Sequence, residues 1–268
     1  MTTQSSSTLA RWFNKQWNRF STAVFFIIFG SGGLLLSITL LPIIRLAIPG
    51  EARRHRWGLA LVRLCFYWFT RGMRWTQCIR FQTIGTPPTG PCLYVANHPT
   101  LIDVVVALGQ IQGCNCLVKK SLFRNRFIGS VLTTAGLLPN DAGPLIIELT
   151  RREFEAGHGL LVFPEGTRSP NTGIHPFSRG AAQIAVRNKV PIAPVLISCD
   201  PPILKKGQPW HQIADRTIYF KVQFFPPLSL PPEIENETTI PLKVRKLNRY
   251  LEQWFTETLK EDELKRVE

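Results

Sequence analysis

Several function classes are missing from this chain's vocabulary. There is no Gly-x-Ser-x-Gly stretch to form a nucleophile elbow and no His-Glu-x-x-His stretch to hold a catalytic metal, which counts against a serine or zinc hydrolase. Six cysteines (Cys65, Cys78, Cys92, Cys114, Cys116 and Cys199) are scattered, with no Cys-x-x-Cys pair and no histidines at zinc spacing. They read as free thiols in a reducing compartment, each a small buried apolar residue, and no metal site is expected. Neither an internal repeat nor a long low-complexity tract occurs. Acidic residues are scarce as well, 18 against 32 Lys and Arg, for a net charge of +14. The shortage is concentrated at one end: residues 1–80 hold eleven Lys/Arg and Glu51 alone among acids.

Charge of either sign is absent from Thr22 to Ile44. A helix of that length covers about 35 Å, enough for a bilayer core of about 30 Å. Nucleic acid would account for the basic flanks but not for this apolar run, so the expected partner is a membrane surface with acidic headgroups, and no nucleic acid. Trp12, Phe13, Trp17 and Phe20 are interleaved with the basic residues in a pattern suited to the headgroup region. The run is too long for a secretory h-region, and no clear small-x-small cleavage site follows it. Arg11, Lys15 and Arg19 on one side balance Arg45, Arg53, Arg54 and Arg56 on the other, so the positive-inside rule does not orient it. Gly30-Ser-Gly-Gly33 and Pro42 weaken a straight helix, which leaves both a full span and a re-entrant hairpin open. Beyond the basic knot at 51–56, Trp57–Trp75 is predicted as a second helix, either lipid-facing with Arg63, Arg71 and Arg74 snorkelling or packed on the rest of the protein.

From Cys78 onward, short apolar runs alternate with longer periodic ones, the signal for a largely parallel sheet flanked by helices. The spacing predicts strands at Cys92–Ala96, Cys114–Val118, Leu160–Phe163, Ile192–Ser198 and Thr217–Phe225. Helices are predicted at Thr100–Leu108, Pro144–Ala156, Gly180–Val186 and Ile240–Leu259. The expected architecture is α/β, a mostly parallel mixed sheet flanked by helices. A membrane-associated two-helix module occupies residues 1–77 and a catalytic domain residues 78–268.

Two stretches carry chemistry. In Asn97-His-Pro-Thr-Leu-Ile-Asp103 a histidine follows a strand and precedes a helix, at the carboxyl edge where open α/β sheets place their sites. A neutral imidazole can take a proton from an alcohol near neutral pH, and a carboxylate on its other nitrogen fixes the tautomer and stabilises the imidazolium. A His and an Asp at this spacing also serve as helix cap and packing groups. The second stretch, Phe163-Pro-Glu-Gly-Thr-Arg-Ser169, also begins where a strand ends. It offers Glu165, a flexible backbone at Gly166 and Thr167, and the Arg168 guanidinium, which can grip a phosphate bidentately. Alone it could be a polar surface turn; beside the first motif it suggests one shared pocket.

With both motifs present, the chain resembles the glycerolipid acyltransferase family, including the bacterial 1-acylglycerol-3-phosphate acyltransferases, marked by His-x4-Asp and Phe-Pro-Glu-Gly-Thr-Arg. Phe177-Ser-Arg-Gly-Ala-Ala182 and Val190-Pro-Ile-Ala-Pro-Val195 are similar to weaker family features, and the likeness runs over roughly Thr83 to Pro227. The two-helix module also resembles the membrane-docking element of some bacterial members. The resemblance implies that His98 deprotonates an acceptor hydroxyl with Asp103 orienting it, and that this hydroxyl attacks an acyl thioester directly. It further implies that Asn97 and the backbone near Gly166 hold the oxyanion, while Glu165, Thr167 and Arg168 bind the acceptor's polar head.

The expected function is a membrane-associated O-acyltransferase at a bacterial inner membrane, its catalytic domain on the cytoplasmic side. It would use acyl-CoA or acyl carrier protein (ACP) as co-substrate and a lysophospholipid as acceptor, with membrane lipids as partners and no cofactor. One departure bears on the acceptor: family members that use lysophosphatidate often carry an arginine where this chain reads Gly136-Leu-Leu-Pro-Asn-Asp141. Lys119, Lys120, Arg124 and Arg126 form a nearby basic cluster that could replace it, receive an acidic carrier protein, or simply be solvated or lipid-facing. A non-phosphate lipid acceptor, or a lipid-binding protein without turnover, are the alternatives.

Overall fold

The computed structural model describes residues 8–267 apart from 78, 171 and 213; the side chains described are those of residues 11–264. Cys78, where the change in pattern begins, and the polar residues 1–7 lie outside the described residues. Three helices come first: α1 (Thr8–Ile38), α2 (Leu40–Ala47) and α3 (Glu51–Trp75). Then follow β1 (Ile79–Ile84), β2 (Leu93–Ala96), α4 (Asp103–Gln110), β3 (Cys114–Val118), a 3-10 turn at Lys120–Arg124, α5 (Gly129–Thr134) and β4 (Leu138–Pro139). The remainder is α6 (Leu145–Glu155), β5 (Gly159–Val162), α7 (Gly180–Asn188), β6 (Ile192–Asp200), β7 (Ile218–Phe224), α8 (Pro232–Glu235) and α9 (Ile240–Val267).

Seven strands form one sheet in the order β1-β7-β6-β2-β5-β3-β4. Every neighbouring pair is parallel except β6 and β7. Central strands are apolar on both faces, as expected of a parallel sheet covered on both sides. In β2, Tyr94 and Ala96 enter one core with α3, α4 and α5 residues such as Val62, Val106 and Leu132. Leu93 and Val95 enter the other, with Phe154, Ile184, Leu251 and Phe255 of α6, α7 and α9. All predicted strands and helices are present; β1, β4, α5 and α8 were too short or too mixed in pattern to be predicted.

Two expectations about the N-terminal region need correction. The glycine cluster at 30–33 does not interrupt α1, which continues to Ile38. There, Gly33 lets the helix pass the Phe127 carbonyl so closely that a Cβ would lie 2.6 Å from that oxygen. The break comes at Thr39 because Pro42 has no N–H to donate to Ile38 and its ring crowds that carbonyl. The basic knot at 51–56 is the opening of α3, which starts at Glu51 and not at Trp57 as predicted.

Of the two roles offered for the second helix, α3 fills the packed one on one face and leaves the other face bare. Leu59, Val62 and Met73 belong to the core beneath the sheet, while Trp57, Leu64, Trp68 and Trp75 are exposed. By contrast, α1 and α2 are bare. Arg11–Ala47 is long and apolar enough to cross a membrane, and only 6% of its most apolar window is buried. Its first half is tied down through Trp17 Nε1 to the Thr76 carbonyl (2.9 Å), Asn18 Nδ2 to the Ala214 carbonyl (3.1 Å) and Phe25 and Phe29 on Phe69.

Candidate active site

The carboxyl ends of β2, β5, β3 and β6 point the same way, so the loops that follow them share one edge. Asn97 and His98 leave β2 there. Asn97 is buried and exchanges two 2.8 Å hydrogen bonds with Ile197, its Nδ2 donating to the carbonyl and its Oδ1 accepting from the N–H. The amide therefore extends the pairing of β2 with β6 by one residue. The pairing with Ile197 positions the histidine that follows, whereas the resemblance implies that Asn97 meets the oxyanion.

His98 Nδ1 lies 2.7 Å from Asp103 Oδ2, with the imidazole 17% exposed and the carboxylate wholly buried. Three donors converge on that carboxylate: the imidazole N–H and the Thr100 N–H (2.7 Å) on Oδ2, and the Thr100 hydroxyl (2.5 Å) on Oδ1. Burial pushes Asp103 above the usual carboxylate range, while His98 and Thr100 pull the other way. A shell made only of donors suits the ionised form. With Nδ1 holding its proton towards Asp103, Nε2 is the nitrogen that can accept one; among the described residues it has no partner. Phe163 packs on the ring at 4.6 Å between centroids and limits its tilt.

Asp103 achieves this because α4 starts at Asp103, not at Thr100 as predicted. Pro99 is therefore outside the helix, and Thr100-Leu-Ile-Asp103 is a turn leading into α4 in which the acid bonds back to the Thr100 N–H. Thr100 was not singled out from sequence, although its Thr-x-x-Asp spacing was the available signal.

The loop after β5 is built around Glu165. Its Oε1 accepts the His98 N–H (3.0 Å) and the Ser169 hydroxyl (2.6 Å), and its Oε2 accepts the His175 N–H (2.8 Å). Ser169 also donates its N–H to the His98 carbonyl (2.7 Å). So Glu165 turns inward and clamps the two motifs together, where the sequence suggested contact with an acceptor. Ser169 is the second residue that sequence reasoning missed, and as the last letter of the motif it showed no distinct pattern. Gly166 is exposed, its N–H closing a turn on the Phe163 carbonyl (3.1 Å); the Thr167 N–H has no backbone partner among the described residues. Arg168 donates through Nη1 to the Leu204 and Lys205 carbonyls (2.7 and 3.0 Å), in the loop after β6. This aligns the guanidinium, and among the described residues Nε and Nη2 have no partner. Lys205 Nζ reaches the Pro170 carbonyl at 3.3 Å, which adds a second cation beside Arg168.

Lys119, Lys120, Arg124 and Arg126 are exposed at the same edge, after β3. Lys120 pairs with Asp141, just past β4, at 3.1 Å. Helix α1 borders the edge at both ends, with Phe26 near Trp210 (6.3 Å) in the loop after β6 and Gly33 against Phe127 beyond the cluster. Cys65, Cys92, Cys114 and Cys116 are free thiols; Cys92, Cys114 and Cys116 are buried, whereas Cys65 and Cys199 are only partly so, against the expectation for all six.

Residues 78–198 match the family described as Acyltransferase. The human 1-acyl-sn-glycerol-3-phosphate acyltransferase alpha is 30% identical over 165 residues, 57% of either chain. The Escherichia coli 1-acyl-sn-glycerol-3-phosphate acyltransferase is 35% identical over 116 residues, 41% of this chain and 47% of that one. The chain spans between 36% and 57% of the length of the curated relatives it matches. The crystal structure of the 1-acyl-sn-glycerophosphate acyltransferase PlsC from Thermotoga maritima shares the fold, with a TM-score of 0.61 at 19% identity over 95% of this chain and 97% of that one.

Proposed function

With residues 78–198 matching the family described as Acyltransferase and curated relatives named as 1-acyl-sn-glycerol-3-phosphate acyltransferases, we propose that this protein acylates a lysophospholipid of the 1-acylglycerol 3-phosphate type from an acyl thioester, with His98 as general base. The observation that carries the reading is the His98–Asp103 contact, with Nε2 unpartnered among the described residues, at an edge bordered by apolar α1. The acceptor hydroxyl gives its proton to Nε2 as its oxygen attacks the thioester carbonyl carbon. The resulting oxyanion meets the Thr167 N–H, beside the exposed Gly166. When it collapses, the carbon–sulfur bond breaks and the imidazolium returns the proton to the leaving thiolate. Asp103 stabilises that imidazolium and needs no proton of its own.

For the acceptor's phosphate, the Nε and Nη2 donors of Arg168 form a fork beside Lys205. The basic cluster at Lys119, Lys120, Arg124 and Arg126 suits the phosphates of acyl-CoA or the acidic face of acyl-ACP. Apolar α1 and α2 suit a membrane home, from which the lysolipid reaches the site without leaving the bilayer; the proposed location is a bacterial inner membrane with the catalytic domain in the cytoplasm. No cofactor is needed for this route.

The test is turnover by the full chain in liposomes, given labelled lysolipids with and without a phosphate and both donors. Phosphatidate formed from lysophosphatidate, and reduced on the order of 10²–10⁴-fold by His98→Ala, is the expected result. Lysolipid binding without transfer from either donor would leave a lipid-binding protein, and preference for a phosphate-free acceptor would remove Arg168 and Lys205 from their role.

A further inference from the structure

At the other end of the sheet, one residue ahead of β5, a second cluster serves no step of the chemistry above. His55 Nε2 lies 2.9 Å and His158 Nδ1 lies 3.1 Å from the same oxygen, Glu153 Oε2. All three donor atoms fall within 4.8 Å of one another, and the three side chains are largely buried, with exposures of 20%, 10% and 8% for His55, Glu153 and His158. Strand β5 has four residues, about 13 Å, and it separates His158 from Phe163, so the cluster does not touch the catalytic edge.

Two of the three ligands are arranged locally. Helix α6 ends in a turn where the His158 N–H bonds to the Glu153 carbonyl (2.9 Å) and the Gly157 N–H to the Phe154 carbonyl (3.0 Å), with Gly157 at φ +82°. That helix-ending motif folds His158 back over Glu153. The third ligand comes from α3, nearly a hundred residues earlier in the chain.

We propose that His55, Glu153 and His158 bind a divalent transition ion of the zinc type, which fastens α3 to the underside of the sheet domain. Two imidazoles and a carboxylate form a donor set that zinc accepts, and tetrahedral bonds of about 2.0–2.1 Å place neighbouring donors about 3.3 Å apart, within a few tenths of an ångström of the two contacts seen. The surroundings also fit. His55 Nδ1 lies against the Gly136 backbone, which leaves Nε2 for the ion. The fully buried Asn115 donates to the Gly136 carbonyl (2.9 Å) and so fixes that backbone. Outer contacts of this kind orient metal ligands. A fourth position for water is reached past His55, the most exposed of the three.

The experiment uses the full chain in detergent, stripped with a chelator, dialysed and titrated with Co²⁺ and then Zn²⁺. The expected result is one ion per chain, visible d–d absorption from Co²⁺ that Zn²⁺ displaces, and a Tm raised by about 5 °C at a hundredfold excess over Kd. Glu153→Gln and His158→Ala should each weaken binding at least tenfold and abolish the Tm shift. If those variants fail to fold, His55→Gln tests the same site at its most exposed ligand. Less than 0.1 ion per chain, or binding unchanged in any folded variant, would overturn the proposal. The cluster would then be a hydrogen-bonded tie between α3 and α6.

Discussion

Asp103→Asn separates two services that the buried carboxylate performs for His98, and the hydrogen bonds predict which one survives. Oδ2 receives two N–H donors, from His98 and Thr100, while Oδ1 faces only the Thr100 hydroxyl, which can rotate to accept. The amide must therefore place its oxygen at the Oδ2 position and its NH2 on Thr100. His98 keeps its proton on Nδ1, and what disappears is the negative charge opposite the imidazolium. A charge pair at about 4 Å with an effective dielectric near 20 is worth about 4 kcal/mol, or about 10³ in kcat. Thr100→Val removes the acceptor that fixes the amide's orientation. In the double variant the NH2 can turn to His98, invert the tautomer, and cost about a further tenfold beyond the product of the single effects.

Stability moves the other way. Burial raises the Asp103 carboxyl in the fold, so its contribution is complete below the unfolded value of about 3.9 and is lost as pH rises through the folded one. Wild type has lost it at neutral pH, whereas the never-ionised Asn variant has not. Its Tm at pH 7 should equal or exceed that of wild type, with the difference shrinking towards pH 4. The assays are single-turnover acyl transfer and thermal melts across pH for all four proteins. Multiplicative kinetic effects within threefold, or a markedly lower Tm for Asp103→Asn at pH 7, would refute the reasoning.

Glu165→Ala orphans the Ser169 hydroxyl and the His175 N–H and leaves the His98 N–H only its 3.2 Å contact with Ser169 Oγ, and at about 1 kcal/mol or more for each lost bond should lower stability by about 2–3 kcal/mol in urea titrations. It should reduce kcat more than it changes the acceptor KM; a raised KM with kcat intact would mean that the carboxylate touches the acceptor. Deleting residues 1–47 should leave a folded protein that no longer sediments with liposomes, whereas deleting 1–77 strips Leu59, Val62 and Met73 from the core and should abolish cooperative melting in circular dichroism. Burial pushes the Cys116 thiol up to about 12 and raises Cys114 as well, so mass spectrometry after alkylation at pH 8 should find both unmodified until denaturant is added.

Much of the fold was legible because its signals are local. Strands such as Leu160–Val162 are short apolar runs, and α9 shows its buried face through Val244, Leu247, Leu251 and Phe255 at helical spacing. The places of His98 and Glu165 were legible for the same reason, each just beyond a strand. Boundaries were less so: Asp103 captures the Thr100 N–H and delays α4, and Gly30–Gly33 looked like a break because sequence does not show the Phe127 carbonyl that makes small residues useful there.

The sequence by itself determined that an uncharged N-terminal segment precedes an α/β domain, and that a histidine with an acid five residues on faces a Glu-Gly-Thr-Arg turn. Periodicity and short spacings encode such features within a few turns of chain. Only the tertiary structure decided which polar atoms remain available. It closed Asn97 onto Ile197 and Glu165 onto His98, Ser169 and His175, left Nε2 of His98 open, and carried His55 across nearly a hundred residues to Glu153. Whether a donor or acceptor is satisfied depends on every segment that packs around it, and the partners of a buried polar atom leave no periodic trace in the chain that supplies them.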